Sequence, residues 1–142
     1  MDEILSRMQA YPQKLYGSLA IGMGASLAAL WEAVPPYPPE PDASTYTRTG
    51  TLGRTLGSDI GGGASSSEPE IFTIRKLGQG VEGKFGTRLD YAPQVIGDGT
   101  QASIHRGRWW TFITIAQKAQ AKITVIWNGV AEAMVRFLEG MG

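Results

Sequence analysis

The sequence predicts an α+β domain in which a small antiparallel sheet packs against a long N-terminal and a long C-terminal helix. Apolar residues recur at helical spacing in residues 2–33 and again in 109–139, whereas they alternate with strand period in 70–89. A chain of 142 residues is long enough for one domain. We therefore expect a single domain over 1–142, with an extended Pro- and Gly-rich arm at 34–69.

The N-terminal helix begins near Asp2, an N-cap residue type, and ends before Pro35 and Pro36. Pro12 lies inside the pattern, which predicts a kink or the first turn of a second segment. Leu15–Trp31 carries no charge and is rich in Gly, Ala and Ser. This composition favours close packing on neighbouring elements, partly on a second subunit; the alternative is a short membrane span.

The tract 34–69 opens with a polyproline-like run, Pro35–Pro41, and closes with Gly and Ser. Loops of this length are uncommon in compact domains unless they are functional or disordered. We expect a rigid arm that lies on a partner, with a Pro-rich peptide ligand as the alternative. A short helix or turn is expected near Leu52 and Leu56.

Residues 70–89 read as a β-hairpin with its turn at Gly78–Gly80. The segment Gly78–Lys84 also satisfies the spacing of a Gly-rich dinucleotide loop and nearly that of a P-loop. Both loops need a following helix, however, and here the pattern continues with strand period. Phe85 also stands where a P-loop needs Ser or Thr, so the sequence favours a hairpin turn over a nucleotide site.

Residues 91–107 are expected to form a loop or short helix, with a tight turn where Gly97 and Gly99 bracket Asp98. The long helix predicted over 109–139 ends at Gly140. We expect its apolar stripe to pack on the hairpin and the first helix; a coiled-coil seam is the alternative. The stripe consists of Phe112, Ala116, Ala119, Ile123, Ile126, Val130, Met134 and Phe137.

The residues that carry chemistry are few, so we expect no catalytic, cofactor or metal site. The chain has no cysteine, and His105 is its one histidine, so neither thiolate sites nor histidine pairs can form. Thirteen basic residues balance thirteen acidic ones, and this zero net charge argues against holding DNA by its phosphates as the main role.

The segment from His105 to Trp110 mixes arginine with tryptophan, which suits single-stranded nucleic acid or a protein interface. The neutral charge of the chain favours the interface. The predicted subunit contacts are Pro35, Pro36, Tyr37, Pro38, Pro39, Arg48, His105, Arg106, Arg108, Trp109 and Trp110.

Two blocks, Tyr46–Thr55 and Leu89–Thr100, resemble in order and separation the Thr-Gly-x-Leu and Tyr-Ala…Gly-Thr blocks of the neck and tail-completion (head–tail connector) proteins of tailed bacteriophages. Strands between the blocks and a helix on either side also match. One departure is Arg108–Thr111, which stands where the family often has a Pro-Phe stretch.

The resemblance implies a non-enzymatic virion protein in the phage neck, made in the host cytoplasm. It would form a homo-oligomeric ring, a hexamer or dodecamer, that joins the portal side of the head to the tail. Its partners would be its own copies and the adjacent portal, adaptor and tail proteins, with DNA only passing through the channel and no membrane contact. The alternatives are a minor capsid or tail-terminator protein, a membrane-active protein using Leu15–Trp31, and a nucleotide-binding enzyme using Gly78–Lys84.

Overall fold

The computed structural model of the chain describes residues 2–41, 48–78 and 80–140. It confirms the predicted α+β class, because a two-stranded antiparallel sheet packs against one long helix near each end. The elements in chain order are α1 (Asp2–Glu32), α2 (Thr51–Thr55), β1 (Ile71–Leu77), β2 (Gly80–Gly86), α3 (Ala92–Ile96) and α4 (Phe112–Glu139).

Helix α1 packs along α4 through the small residues of its second half. A Cβ atom built on Gly22 would lie 2.8 Å from Cγ2 of Val130 and 3.2 Å from the Trp127 ring, so the absence of a side chain permits this approach. Ser26, which is buried, donates a hydrogen bond of 2.8 Å to the carbonyl oxygen of Gly22. Pro12 lies within one continuous helix, so no second segment begins there.

Helix α4 begins at Phe112, three residues later than predicted, so the Trp pair precedes the helix rather than opening it. The reason is a capping box, in which the Thr111 side chain accepts from the backbone of Thr114 and the Thr114 side chain accepts from that of Thr111. Near the start of α4 the predicted apolar stripe is wrong by one residue. It contains Ala116, which is exposed, whereas Ile115 is the residue that is fully buried. Gly140 ends the helix in a left-handed conformation, as expected.

Strands β1 and β2 form the predicted hairpin, with Phe72 opposite Phe85 and Leu77 opposite Gly80. Because the second strand returns directly along the first, no helix follows the glycine-rich turn, and the geometry of a phosphate loop is absent there. The hairpin packs on α1, where a Cβ on Gly83 would meet Met23, and the rings of Trp31 and Phe72 lie 5.4 Å apart.

The described parts of the 34–69 tract pack on the chain itself, and contact of this arm with a partner stays a prediction. Val34 and Pro35 are buried. The N–H of Tyr37 donates to the carbonyl of Ile60 at 2.8 Å, and the N–H of Gly63 donates to that of Val34 at 2.8 Å. The short helix predicted near Leu52 is α2, and the tract supplies half of a buried cluster whose members are Leu52, Leu56, Ala92 and Ile96.

Candidate functional site

Three segments of the chain, around Tyr37, Arg48 and Trp109, converge on one cluster, which we call the Tyr37–Trp109 cluster. The rings of Tyr37 and Trp109 pack edge to face with centroids 4.8 Å apart. The guanidinium carbon of Arg48 lies 5.8 Å from the Tyr37 ring centroid and 5.4 Å from that of Trp109. A guanidinium over two aromatic faces is attracted by both ring quadrupoles, so Arg48 ties the Pro-rich run to the Trp pair.

Arg48 is also a hydrogen-bond donor to the Pro-rich run. Its guanidinium donates to the carbonyl oxygens of Pro38 and Pro39, and its Nε lies 3.9 Å from the carboxylate of Glu40. Its side chain is only 12% exposed. Proline has no N–H, and its carbonyl is its only backbone hydrogen-bonding group, so an arginine that binds consecutive proline carbonyls fixes the course of this run.

Tyr37 anchors the cluster to α2. The N–H of Gly53 donates to the hydroxyl oxygen of Tyr37 at 2.7 Å. Burial raises the pKa of Tyr37 above its ordinary value, although the Gly53 bond acts in the opposite direction. The hydroxyl is therefore a neutral structural group and not an acid or base at neutral pH.

Trp110 and Gln101 hold the other side of the cluster. The indole N–H of Trp110 donates to the carbonyl oxygen of Pro36 at 3.0 Å. The amide nitrogen of Gln101 donates to the carbonyl oxygens of Val95 at 2.8 Å and Trp109 at 3.1 Å. These bonds fix the backbone of 95–110, which has no strand or long helix to order it.

His105 lies at the edge of the cluster, with its ring centroid 6.3 Å from that of Trp109. Its Nδ1 is out of contact with solvent and has no hydrogen-bond partner among the described residues. Burial, and secondarily the nearby charge of Arg108, lower the pKa of His105 from its ordinary value. His105 is thus a neutral, partly buried imidazole, and its Nδ1 is unsatisfied within the described residues.

A cavity of about 490 Å³ opens beside the cluster. Its wall is mainly apolar and includes the rings of Tyr37 and Trp109 together with Leu52 and Val95. Arg48, Glu40, His105 and Arg108 supply its ionisable groups, and Ile104 and Tyr91 stand at its exposed edge. The cavity has the size and lining of a binding pocket.

The Gly-Asp-Gly-Thr loop that follows α3 has a structural role. The carboxylate of Asp98 accepts a hydrogen bond of 3.2 Å from the N–H of Ile113, in the first turn of α4. The hydroxyl of Thr100 donates to the carbonyl of Pro93 at 2.6 Å. Because backbone N–H groups in the first turn of a helix have no intrahelical partner, Asp98 satisfies one of them and attaches α4 to the loop.

The structure thus brings together six of the eleven predicted contact residues: Pro36, Tyr37, Arg48, His105, Trp109 and Trp110. Pro38, Pro39 and Arg108 border the same region. Pro35 is buried beside Gly62, and the Nε of Arg106 donates to the carbonyl of Gln101 at 3.2 Å. Contact of these residues with a neighbouring subunit stays a prediction. Gln101, Val95 and Ile104 were missed; only Ile104, an apolar residue in a basic segment, gave a signal in the sequence.

No protein-family model, curated protein or solved structure matches this chain. Within the described residues, no helix is both long and apolar enough to cross a membrane. Residues 2–41, 48–78 and 80–140 contain no cluster of three or more histidine or carboxylate side chains that could hold a metal ion.

Proposed function

We propose that this chain is a structural protein of a tailed-phage virion that assembles into a homo-oligomeric ring, a hexamer or dodecamer, in the neck between head and tail. The resemblance of Tyr46–Thr55 and Leu89–Thr100 to the neck proteins supplies the class of protein. The structural observation that carries the proposal is the outer face of α4.

One exposed strip of α4, which we call its outer face, carries no charge along its length. Three of its members are large and apolar: Ile113 is 50% exposed, Val135 is 52% exposed and Leu138 is 51% exposed. The charged side chains of α4 lie beside this strip, and Glu132 and Glu139 border it directly; the full set is Lys118, Lys122, Glu132, Arg136 and Glu139. The eight positions of this outer face are Ile113, Gln117, Gln120, Thr124, Asn128, Ala131, Val135 and Leu138.

An ordinary surface helix carries charged as well as polar residues on its solvent face, whereas this strip has four uncharged polar residues and no charged one. The face repeats at 113, 124 and 135, a spacing of eleven residues, which keeps it nearly straight along the helix. A helix of 28 residues is about 42 Å long, so this strip is long enough to contribute substantially to a stable contact. Depletion of charge is also the compositional signal of an interface core.

A ring needs a second, different surface on each protomer, because its interface is head to tail. The exposed side of α1 is a candidate. Ile21 is 76% exposed, and Ala25 is exposed one turn further on. A Cβ on Gly17 would meet nothing within 4 Å, so another helix can approach this part of α1 closely. We infer that α4 of one copy packs on α1 of the next.

The proposal is tested by the mass and shape of the purified protein in light scattering and electron microscopy. The double variant Gln117→Glu/Asn128→Glu places two charges on the outer face of α4, and we expect it to fold but to remain monomeric. The control, Ser66→Glu/Thr73→Glu, adds the same charge at exposed positions elsewhere and should assemble. A wild-type chain that is strictly monomeric and absent from virions would refute the proposal.

A further inference from the structure

The cavity beside the Tyr37–Trp109 cluster takes no part in the proposed contact between α4 of one copy and α1 of the next. We propose that it is a docking pocket for a segment of a protein partner that presents a carboxylate beside an aromatic or aliphatic side chain. This inference goes beyond the proposed ring and does not depend on it.

The apolar part of the pocket is preformed. Trp109 is fixed by Tyr37, by Arg48 and by the bond from Gln101 to its carbonyl oxygen. The volume of about 490 Å³ lies within the range of roughly 300–1,000 Å³ that is usual for binding pockets. Rigid aromatic walls lose little conformational entropy on binding, so this lining favours an apolar side chain as occupant.

The charged part of the pocket has an unequal balance. Among the described residues, two arginines, Arg48 and Arg108, line it with one carboxylate, that of Glu40, which lies 3.9 Å from Arg48. The guanidinium of Arg108 forms no hydrogen bond or ion pair with any described residue. An arginine can bind a carboxylate through two parallel hydrogen bonds, so Arg108 selects an acidic group.

The edge of the pocket favours a polypeptide over a free small acid. Ile104 is 69% exposed and Tyr91 is 44% exposed, and both belong to the lining. A ligand confined to the cavity would leave this apolar edge in water, whereas a chain running across the opening would cover it. Tryptophan, tyrosine and arginine are also the residue types enriched at the centres of protein interfaces.

His105 supplies an independent indication. Its buried Nδ1 has no partner in the described chain, and a buried polar group without a hydrogen bond is energetically unfavourable. A bound peptide brings backbone and side-chain groups to the side of the pocket that His105 and Arg108 share, where a turn of the imidazole ring would let Nδ1 reach them. Within the described part of the chain, this side of the pocket thus has a nitrogen and a cation that no other residue satisfies.

The test is calorimetric titration of the full chain with two capped tetrapeptides, acetyl-Gly-Phe-Glu-Gly-amide and the same peptide with glutamine in place of glutamate. We expect saturable binding of the acidic peptide and at least about fivefold weaker binding of the neutral one. Arg108→Gln should abolish this difference. Arg136→Gln is the matched control, because this exposed arginine lies near the C-terminal end of α4, far along the helix from the pocket. This variant should keep the preference for the acidic peptide.

A photo-crosslinkable benzophenone in place of the phenylalanine ring locates the bound peptide, and crosslinks to Ile104 or Trp109 are expected. Three results would each overturn the inference: no saturable binding, a preference for glutamate that survives Arg108→Gln, or phenylacetate binding as tightly as the acidic peptide. The same samples are sized by light scattering. Peptide binding by a chain that never forms rings would refute the proposed function and leave this pocket standing.

Discussion

The helix pair and the Tyr37–Trp109 cluster are held together in different ways. Helices α1 and α4 meet along regular apolar faces, with Gly22 allowing the Trp127 ring to approach. The cluster is built from irregular backbone. Side chains such as Arg48, Gln101 and Trp110 fix the conformation of this backbone by donating hydrogen bonds to its carbonyl oxygens. Regular elements satisfy their own backbone groups, whereas the loop-built region depends on a few specific side chains.

This difference predicts two kinds of sensitivity. The helix pair should respond to the volume of side chains at its contact, because packing is its main source of stability. The loop-built region should respond to loss of single polar atoms as well, because each binds a backbone group that has no other partner among the described residues.

The largest effect is expected at the buried cluster beneath the loops. Leu56 is fully buried, so Leu56→Ala should lower the free energy of unfolding by about 2–5 kcal/mol through lost burial and a cavity. Urea denaturation measures the change. Leu77→Ala removes the same atoms from a side chain that is 44% exposed and should cost less than about 1 kcal/mol. Equal effects at the two leucines would contradict the placement of the core under α2.

The second effect separates two glycines on α1. Gly22→Ala should destabilise the protein by about 1–3 kcal/mol, because the new methyl group would lie 2.8 Å from Val130. Gly17→Ala meets nothing within 4 Å and should stabilise the helix by up to about 1 kcal/mol. Thermal unfolding of both variants distinguishes them, and a stabilising Gly22→Ala would rule out the close approach of α1 and α4.

The third effect tests one polar atom of the cluster. Tyr37→Phe removes the oxygen that accepts from the N–H of Gly53, a buried residue, and should cost about 1–3 kcal/mol. Tyr16→Phe is the control, since the Tyr16 hydroxyl has no hydrogen bond within the described residues. If the two variants unfold at the same urea concentration, the hydrogen bond from Gly53 to the Tyr37 hydroxyl does not stabilise α2.

The smallest effect is a pH dependence. Burial and Arg108 lower the pKa of His105 in the folded chain, so the unfolded chain, with an ordinary pKa near 6.5, binds the proton more readily. The free energy of unfolding should therefore fall as pH drops from about 7.5 to about 5.5. His105→Gln should reduce this slope. A wild-type slope that the substitution leaves unchanged would show that His105 titrates alike in both states.

The regular elements could be predicted because their signal is local. The stripe from Ala119 to Phe137 repeats at helical spacing, and the glycine turn of the hairpin lies between alternating residues. The start of α4 was misplaced because the capping box at Thr111 outweighs the apolar character of the Trp pair. Composition showed that the segments now in the cluster were unusual, but no periodicity records that Tyr37, Arg48 and Trp109 meet.

The Pro-rich run shows the same limit. Its composition favours an extended conformation. Such a conformation is compatible both with an arm that lies on a partner and with a segment that packs on its own chain. Its position on its own chain depends on long-range bonds, from Trp110 to Pro36 and from Arg48 to Pro38, that sequence spacing does not encode. The uncharged outer face of α4 was readable in principle, but it lies outside the apolar stripe on which the prediction concentrated.

The most direct test of the proposed ring is electron microscopy of the purified wild-type chain beside Gln117→Glu/Asn128→Glu. We predict closed rings of six or twelve copies for the wild type and folded monomers for the variant, with circular dichroism showing the same helix content in both. A wild-type chain that stays monomeric at all concentrations, or a variant that forms the same rings, would contradict assembly through the outer face of α4.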